Sequence, residues 1–471
     1  MDEGVPRAQA TDPEGHGAEP GHHPKTWRRA PGRKPGPAPD GTDFGRCLDG
    51  VLRQVFPDLN AWLDDVPDPR VQAMCTYSFR HVLWQGIATF LLRDGSRNAF
   101  DADRNSGCLP DNMLRVCGEA WDRERLGERR TVTCSGNTVV HLARVPAPAM
   151  ARLPLLLARR LLAMRVLEEG RLFGTWWLVA IDGTLRDRGH KTRDSAARYR
   201  YVVEAALIVL PLGLRIPLVS EFQDMQDPVR EKEDCELNAF HRLAERLKQE
   251  FPRLPVCLLL DGLYPVQAVF DRCRDYGWKF IATQREGRQP TAWGEAVAIM
   301  QMSARNVRFG TRLGEAGWID QTMRWADGVP FGQHHALQVV FLSEIGPDAA
   351  KLWVWVTNLM VTPERVDELV NRGGRARQEI ETHFNVGKNG GFGLEHAFCA
   401  NEEASRNLHV LMQVASVLGQ VLICGVLRRL TRGCRKVTDV KLTELLRASL
   451  LYVSIPPGLP PPFQLRFCNS S

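Results

Sequence analysis

Two apolar segments of the chain run directly into a carboxylate, and this pattern restricts the fold more than any other feature. Residues 176–181 lead into Asp182, and residues 256–260 lead into Asp261. Short apolar runs of this kind are typical of buried strands. A buried strand that ends on a charged group is costly unless a cation or an ion partner compensates. We therefore expect two buried strands that carry acidic residues to a functional site.

A third acidic residue follows much later, in a segment with helical character. Glu381 is preceded by Arg377 one helical turn earlier. Carboxylate oxygens are the ligands that Mg²⁺ prefers, and two-metal sites are built from them. Asp182, Asp261 and Glu381 are therefore the candidate catalytic residues and ligands of two Mg²⁺ ions, for which Mn²⁺ can substitute.

Two other acids compete for these positions. Glu379 lies two residues from Glu381, about 200° away on a helix, so only one of them can face the strands. Asp187 lies close to Asp182 in the chain, but Arg186 and Arg188 flank it. We expect Asp187 to lie in a solvated loop.

The segments around the two aspartates alternate between strand and helix patterns. The short link 210–213 between two strand patterns predicts antiparallel pairing. The predicted elements are strands 176–182, 199–209 and 214–221, helix 233–251, strand 256–261, helix 265–276 and strand 279–283. This order, with acids closing the first and fourth strands, predicts an α/β fold with an RNase H-like core.

The remaining segments suggest further domains, as expected for 471 residues. Residues 1–43 are rich in Pro, Gly and charge, which predicts a disordered basic tail. Residues 44–170 are predicted to form a helical domain that either binds DNA or caps the next domain. The RNase H-like core takes residues 171–283, a β-rich insertion follows at 284–362, and residues 363–471 complete the core with catalytic and C-terminal helices.

Composition agrees with an intracellular DNA-binding protein without defining one. The net charge is +6, and arginine, which suits phosphate binding, dominates the basic residues. A GC-rich codon usage would give the same bias. The 12 cysteines form no Cys-x-x-Cys pair, and no apolar leader opens the chain. The apolar segment 408–427 is predicted to be a buried core helix. We expect a cytoplasmic, nucleoid-associated protein with no membrane partner.

The chain resembles the DDE transposases of bacterial insertion sequences, in particular the subgroup with a β-rich insertion before the third acid. That subgroup has the signature Tyr, two residues, Arg, three residues, Glu, six residues, Lys. Arg377, Glu381 and Lys388 match this spacing. Residues 260–264 and 380–396 are also similar to the family. The signature tyrosine falls on Gly374, so its DNA phosphate contact must be missing or supplied by a neighbour such as Arg375.

The resemblance implies an enzyme that cuts DNA at transposon ends and joins the freed 3′ hydroxyl to target DNA. It implies phosphate contacts for Arg377 and Lys388, although an Arg377–Glu381 pair within the helix is the alternative. Trp318 and Trp325 are candidates to stack on an extruded base, although such residues are more often core. The implied partners are double-stranded DNA with terminal repeats, target DNA and a second subunit in a synaptic homodimer. The alternatives are an inactive or domesticated DNA-binding relative, or an RNase H-like nuclease without strand joining.

Overall fold

The computed structural model describes the greater part of the chain. Structure is described for residues 41–188, 199–223, 236–285, 287, 289–303, 305–314, 316–347, 349–428 and 437–456. Nearly all of the predicted basic tail, residues 1–40, lies outside the described residues.

The segment between residues 44 and 170 is helical, as predicted. Side chains cap two of these helices at their first turn: the Ser78 hydroxyl accepts the His81 N–H at 3.0 Å, and the Ser96 hydroxyl accepts the Ala99 N–H at 3.2 Å. The helices are α1 (Phe44–Gln54), α2 (Leu59–Asp64), α3 (Phe79–Leu91), α4 (Arg97–Asp103), α5 (Leu109–Cys117), α6 (Arg123–Leu126), α7 (Ser135–Leu142), α8 (Ala147–Met150) and α9 (Arg152–Ala163).

A mixed α/β region follows, close to the predicted order of elements. Its elements are β1 (Trp177–Arg188), β2 (Tyr199–Val209), β3 (Leu214–Phe222), α10 (Glu236–Glu250), β4 (Val256–Leu260), α11 (Gln267–Tyr276) and β5 (Lys279–Thr283). The first strand is longer than predicted, since β1 continues beyond Asp182. It pairs with β4 only as far as Ala180 but with β2 as far as Arg188. Asp182 therefore lies just beyond the part of β1 that pairs with both β2 and β4, and it does not end the strand.

The segment predicted as a β-rich insertion contains four strands and one helix that the sequence patterns did not indicate. It consists of α12 (Pro290–Met302), β6 (Val307–Leu313), β7 (Trp318–Phe331), β8 (His335–Ile345) and β9 (Ala350–Thr357). Only Ala292 and Ala296 of α12 are buried, so the helix has too narrow an apolar stripe to be recognised in the sequence.

All nine strands belong to one mixed sheet, in the order β3-β2-β1-β4-β5-β9-β8-β7-β6. β1, β4 and β5 are parallel to one another, and the other neighbouring pairs are antiparallel. The four strands of the insertion thus extend the central sheet from the outer side of β5. This arrangement places Asp182, within β1, beside the carboxyl end of β4 in the middle of the sheet.

The chain then forms a helix of changing pitch. It begins with α13 (Val366–Glu368), continues as a π turn (Leu369–Gly373) and a 3₁₀ turn (Gly374–Arg377), and ends as α14 (Gln378–Asn389). Two long helices follow: α15 (Glu402–Leu422), with a π turn at Ile423–Leu427, and α16 (Asp439–Tyr452).

The long helix α15 joins the helical segment to the sheet, because it packs on α3 and α7 as well as on β3. Close packing with α3 requires Gly86, where an added Cβ would lie 2.5 Å from Leu411 Cδ1. Helix α16 packs on α1, where the Gly45 N–H donates to the Ser449 hydroxyl at 3.0 Å. The predicted boundary at residue 170 is therefore a change of secondary structure within one shared core.

Among the described residues, Glu402–Leu427 is the one helix long and apolar enough to cross a membrane. However, 78% of its most apolar stretch is buried within the protein. This burial agrees with the core helix predicted from the sequence.

Candidate active site

The two aspartates come together because they lie on neighbouring parallel strands, Asp182 within β1 and Asp261 at the end of β4. Asp182 lies two residues beyond the Ala180–Leu259 pair, and Asp261 directly follows β4. Each carboxylate is oriented by a backbone N–H: Oδ1 of Asp182 accepts from Gly183 at 3.0 Å, and Oδ1 of Asp261 accepts from Leu263 at 2.7 Å. The Oδ2 atom of each aspartate remains available for a shared partner.

The guanidinium of Arg377 is that shared partner. Its Nη2 atom lies 3.2 Å from Oδ2 of Asp182 and 3.8 Å from Oδ2 of Asp261, and its Nη1 atom contacts Oε1 of Glu381. Glu381 lies on α14, which packs on β1. The three acids predicted from the sequence are therefore gathered around one arginine, although nearly 200 residues separate the first from the last.

The structure distinguishes Glu381 from its neighbour Glu379. Oε2 of Glu379 is held by Nη2 of Arg215 on β3 at 2.6 Å, on a different side of α14. Glu381 is 58% exposed and open to a ligand, whereas Asp182 and Asp261 are 16% and 21% exposed.

The prediction for Asp187 is wrong. This residue is buried in β1, not solvated, and its Oδ2 atom accepts the hydroxyl of Ser405 at 2.7 Å. Arg186 and Arg200 pair with it. The pairing depends on α15, which is remote in sequence, so local polarity misled the interpretation.

Arg285 Nη2 also lies 4.0 Å from Oδ2 of Asp261, so two arginines face the three acids and one negative charge is left over. Burial raises the pKa of Asp182 to about 6; Arg377 acts to lower it, while Glu236 and Asp261 raise it further. Such a raised carboxylate pKa in a cleft marks a place where a further cation would be favourable.

The donor set fits Mg²⁺, which binds carboxylate oxygens. No three acidic, imidazole or thiol side chains converge closely enough to hold one metal ion in the described ranges. Asp182, Asp261 and Glu381 are the three groups that would hold Mg²⁺ by their carboxylate oxygens. Arg377 now lies among these three groups and would have to withdraw.

A second cluster lies beside Asp182 on the same face of the sheet. Glu204 is the β2 partner of Asp182 and is buried. His409 Nε2 on α15 lies 2.7 Å from its Oε1, and His383 Nε2 on α14 lies 3.3 Å from its Oε2. Burial acts to raise the pKa of Glu204, but the two imidazoles outweigh burial and hold it below its usual value. The cluster fixes α14, and hence Glu381, against β2.

The other predicted DNA contacts lie in different surroundings. Lys388 Nζ pairs with Oε1 of Glu395 at 2.8 Å and is half-buried. Arg375, the predicted replacement phosphate contact, is engaged by residues of the protein itself. Its guanidinium pairs with the buried Glu344 and lies 5.5 Å from the ring centroid of Trp353, because the 3₁₀ turn directs it toward the insertion.

The departure from the signature at Gly374 has a steric explanation. A Cβ at this position would lie 2.5 Å from Cε2 of Trp355, which is buried and stacks on Trp353 at 6.1 Å between ring centroids. The tryptophan ring occupies the space that a signature tyrosine would need.

The two tryptophans predicted to stack on DNA differ in access. Trp318 is 57% exposed, on the same face of the insertion as the exposed Phe309, Leu313 and Leu352. Trp325 is 2% exposed, so its ring has no face open to a base. Trp325 is part of the core, the alternative that the sequence left open.

Sequence reasoning missed Glu236, the first residue of α10. It is one of four acids between residues 231 and 236, and nothing in the pattern separates it from the others. The hydroxyl of Tyr264 donates to Oε1 of Glu236 at 2.6 Å. Burial and the Glu236 carboxylate raise the pKa of Tyr264, so its phenol remains protonated and donates.

A comparison with models of known protein families finds no match, and a comparison with curated proteins finds none either.

Proposed function

We propose that the protein is a DDE transposase, which cleaves DNA at the ends of a mobile element and joins the freed ends to target DNA. The observation that carries this proposal is the convergence of Asp182, Asp261 and Glu381 around Arg377. These acids come from a central strand, the end of its parallel neighbour and a helix packed on them. This is the arrangement that a metal-dependent phosphoryl transfer requires.

The order of the inner strands supports an RNase H-like core. Three antiparallel strands, β3, β2 and β1, are followed by the parallel strands β4 and β5. The four-stranded segment enters after β5 and before α14. Its place in the chain fits the transposase subgroup with an insertion before the third acid, and the spacing of Arg377, Glu381 and Lys388 fits its signature.

Each residue of the site has a distinct role in this proposal. Asp182 would contact both Mg²⁺ ions, Asp261 one of them and Glu381 the other. When bound, the ions activate the attacking oxygen and stabilise the leaving oxygen of the phosphate. The Leu263 and Gly183 N–H groups orient the aspartates before any ligand binds. Such preorganisation lowers the cost of aligning the reacting groups.

Arg377 has the position of a phosphate-binding residue. Its guanidinium already lies next to all three acids, and its fork of donors matches two phosphate oxygens. Displaced from the carboxylates by cations, it would remain within the site and face the scissile phosphate. Lys388, paired with the half-exposed Glu395, can exchange that partner for a more distant phosphate.

The protein would act on two DNA ends at once, which requires a second subunit in the synaptic complex. The exposed Trp318 is the candidate for stacking on an unpaired base near the cut. Both the homodimer and a nucleoid-associated location in the cytoplasm belong to this proposal.

Cleavage of defined DNA tests the proposal. Inverted repeats in the genomic DNA flanking the gene supply the substrate, and purified protein is assayed with Mg²⁺ or Mn²⁺ for nicked and joined products. We expect Asp182→Asn, Asp261→Asn and Glu381→Gln to abolish cleavage while repeat binding is retained. Glu379→Gln is the matched control, because Glu379 lies on the same helix but pairs with Arg215. Unchanged cleavage by Asp182→Asn would refute the proposal.

The same assay separates the two alternatives. A DNA-binding relative without catalysis would bind the repeats and give no metal-dependent cut. An RNase H-like nuclease would cut but give no joined product. The presence of all three acids in one cluster favours the catalytic reading over the first alternative.

A further inference from the structure

Glu236 contacts the acid-bearing strand from the opposite side of the sheet. Successive side chains of a strand point to opposite faces, so the Gly183 position faces away from the side chain of Asp182. The Glu236 carboxylate fills the space below Gly183, where an added Cβ would lie 2.8 Å from its Oε2 atom. A side chain at this position would shift the carboxylate.

Tyr264 connects the same carboxylate to the segment that carries Asp261. Its hydroxyl donates to Glu236 at 2.6 Å, and its ring lies 5.3 Å from that of Phe240 on α10. Its own N–H donates to the Asp261 carbonyl at 3.2 Å. Glu236 therefore touches both the strand of Asp182 and the turn that follows Asp261.

We infer that Glu236 and Tyr264 form a positioning pair beneath the candidate active site, which sets the separation of Asp182 and Asp261 and strengthens cation binding there. This inference rests on the proposed function. The fully buried phenol fixes the orientation of the carboxylate. The carboxylate adds a fourth negative charge close to the site but on the far side of β1, where it acts through Asp182 rather than on the substrate.

The charges near Glu236 support this role. No arginine or lysine pairs with Glu236 in the part of the chain that the structure describes, whereas Glu250 at the other end of α10 pairs with Arg159 at 2.6 Å. A carboxylate attracts a cation across a few ångströms more strongly in a partly buried site than in water. Outer residues that orient metal ligands typically contribute about ten- to a hundredfold to metal affinity.

Binding of Mn²⁺ to the full chain tests the pair without relying on activity. Free Mn²⁺ is measured by electron paramagnetic resonance, with and without the terminal-repeat DNA. We expect Glu236→Gln to weaken Mn²⁺ binding about tenfold and to raise the Mg²⁺ concentration for half-maximal cleavage, with little loss of rate at saturating Mg²⁺. Glu250→Gln, the same change on the same helix, should leave both quantities unchanged. Equal Mn²⁺ affinities for these two variants would overturn the inference.

The hydrogen bond is tested separately by Tyr264→Phe, which keeps the ring. We expect this variant to weaken Mn²⁺ binding, and the double variant to be no weaker than Glu236→Gln alone, because the two residues act as a unit. Additive effects would contradict a pair. If Glu236→Gln does not fold, Tyr264→Phe decides the question. Asp182→Asn separates failure of the proposed function from failure of the positioning pair. If Asp182→Asn cleaves DNA normally, the proposed function is refuted. If Asp182→Asn loses cleavage but Glu236→Gln behaves like the wild type, only the positioning pair is refuted.

Discussion

The substitution Asp182→Asn should make the free protein more stable at neutral pH while it destroys the site. The pKa of Asp182 is raised from 3.8 to about 6, mainly by burial. This rise corresponds to about two pKa units at ~1.36 kcal/mol each, so the ionised carboxylate costs up to about 3 kcal/mol. The Asn side chain has nearly the same shape and carries no charge.

The sign follows from the direction of the shift. Because the folded-state pKa lies above the unfolded value, Asp182 favours folding only when protonated. That advantage is complete below about pH 4 and is lost as the pH rises through about 6. The gain from Asp182→Asn should therefore be absent at pH 4 and greatest above pH 7. In a chain of this size it amounts to a rise of a few degrees in melting temperature.

The assay is differential scanning fluorimetry of both proteins between pH 4 and pH 8, without metal. Asp320→Asn, the same change at an exposed position of β7, is the matched control and should show no such pH dependence. Addition of Mg²⁺ should stabilise the wild type but not Asp182→Asn, because a ligand that binds only the folded state raises its stability. A variant that is less stable than the wild type at pH 8 would refute the electrostatic reasoning.

Three further predictions concern packing, charge and DNA contact. Gly374→Ala should lower the free energy of unfolding by about 1–3 kcal/mol, because its Cβ would lie 2.5 Å from the ring of Trp355; urea unfolding measures this. Glu204→Gln should destabilise the protein at neutral pH, because it removes the charge between two imidazoles. Since the pKa of Glu204 is lowered from 4.5, the stability difference between wild type and variant should shrink as the pH falls below 4.5. Trp318→Ala should slow end cleavage about 5- to 150-fold, because it removes a base stack of ~1–3 kcal/mol. The cleavage rate measures this loss, and the melting temperature should be unchanged.

Each of these predictions has a control and a contradicting result. Gly294→Ala, on α12 with open space around its added Cβ, should not destabilise the protein, and a similar loss in both variants would remove the steric argument for Gly374. A pH-independent effect of Glu204→Gln would show that its charge is not the stabilising group. Trp318→Phe retains an aromatic ring and should keep most of the rate, so equal losses in the Ala and Phe variants would exclude stacking.

The central strands and their acids could be predicted because their signals are local. The apolar runs before Asp182 and Asp261 fix two buried strands, and the bounds of β2 and β5 agree with their predicted ranges. The choice between Glu379 and Glu381 depended on the spacing of the family signature, and the structure gives the physical difference through Arg215 and Arg377.

The failures come from contacts between residues far apart in the chain. The environment of Asp187 is set by Ser405, and that of Glu236 by Tyr264. The pairing of Arg375 with Glu344 could not be predicted either, because the change from π to 3₁₀ pitch at this point has no signal in the sequence.

In the continuous sheet, the short β5–β9 ladder links the four outer strands to the strands that carry Asp182 and Asp261. Only three residue pairs join β5 to β9 in the described structure, from Ile281–Thr357 to Thr283–Trp355. Two side-chain contacts reinforce this ladder, since His335 Nε2 lies 2.9 Å from Oδ1 of Asp271 on α11 and Arg375 pairs with Glu344. In the proposed transposase, a displacement of the outer strands on DNA binding should change the hydrogen exchange of the amides of residues 281–283.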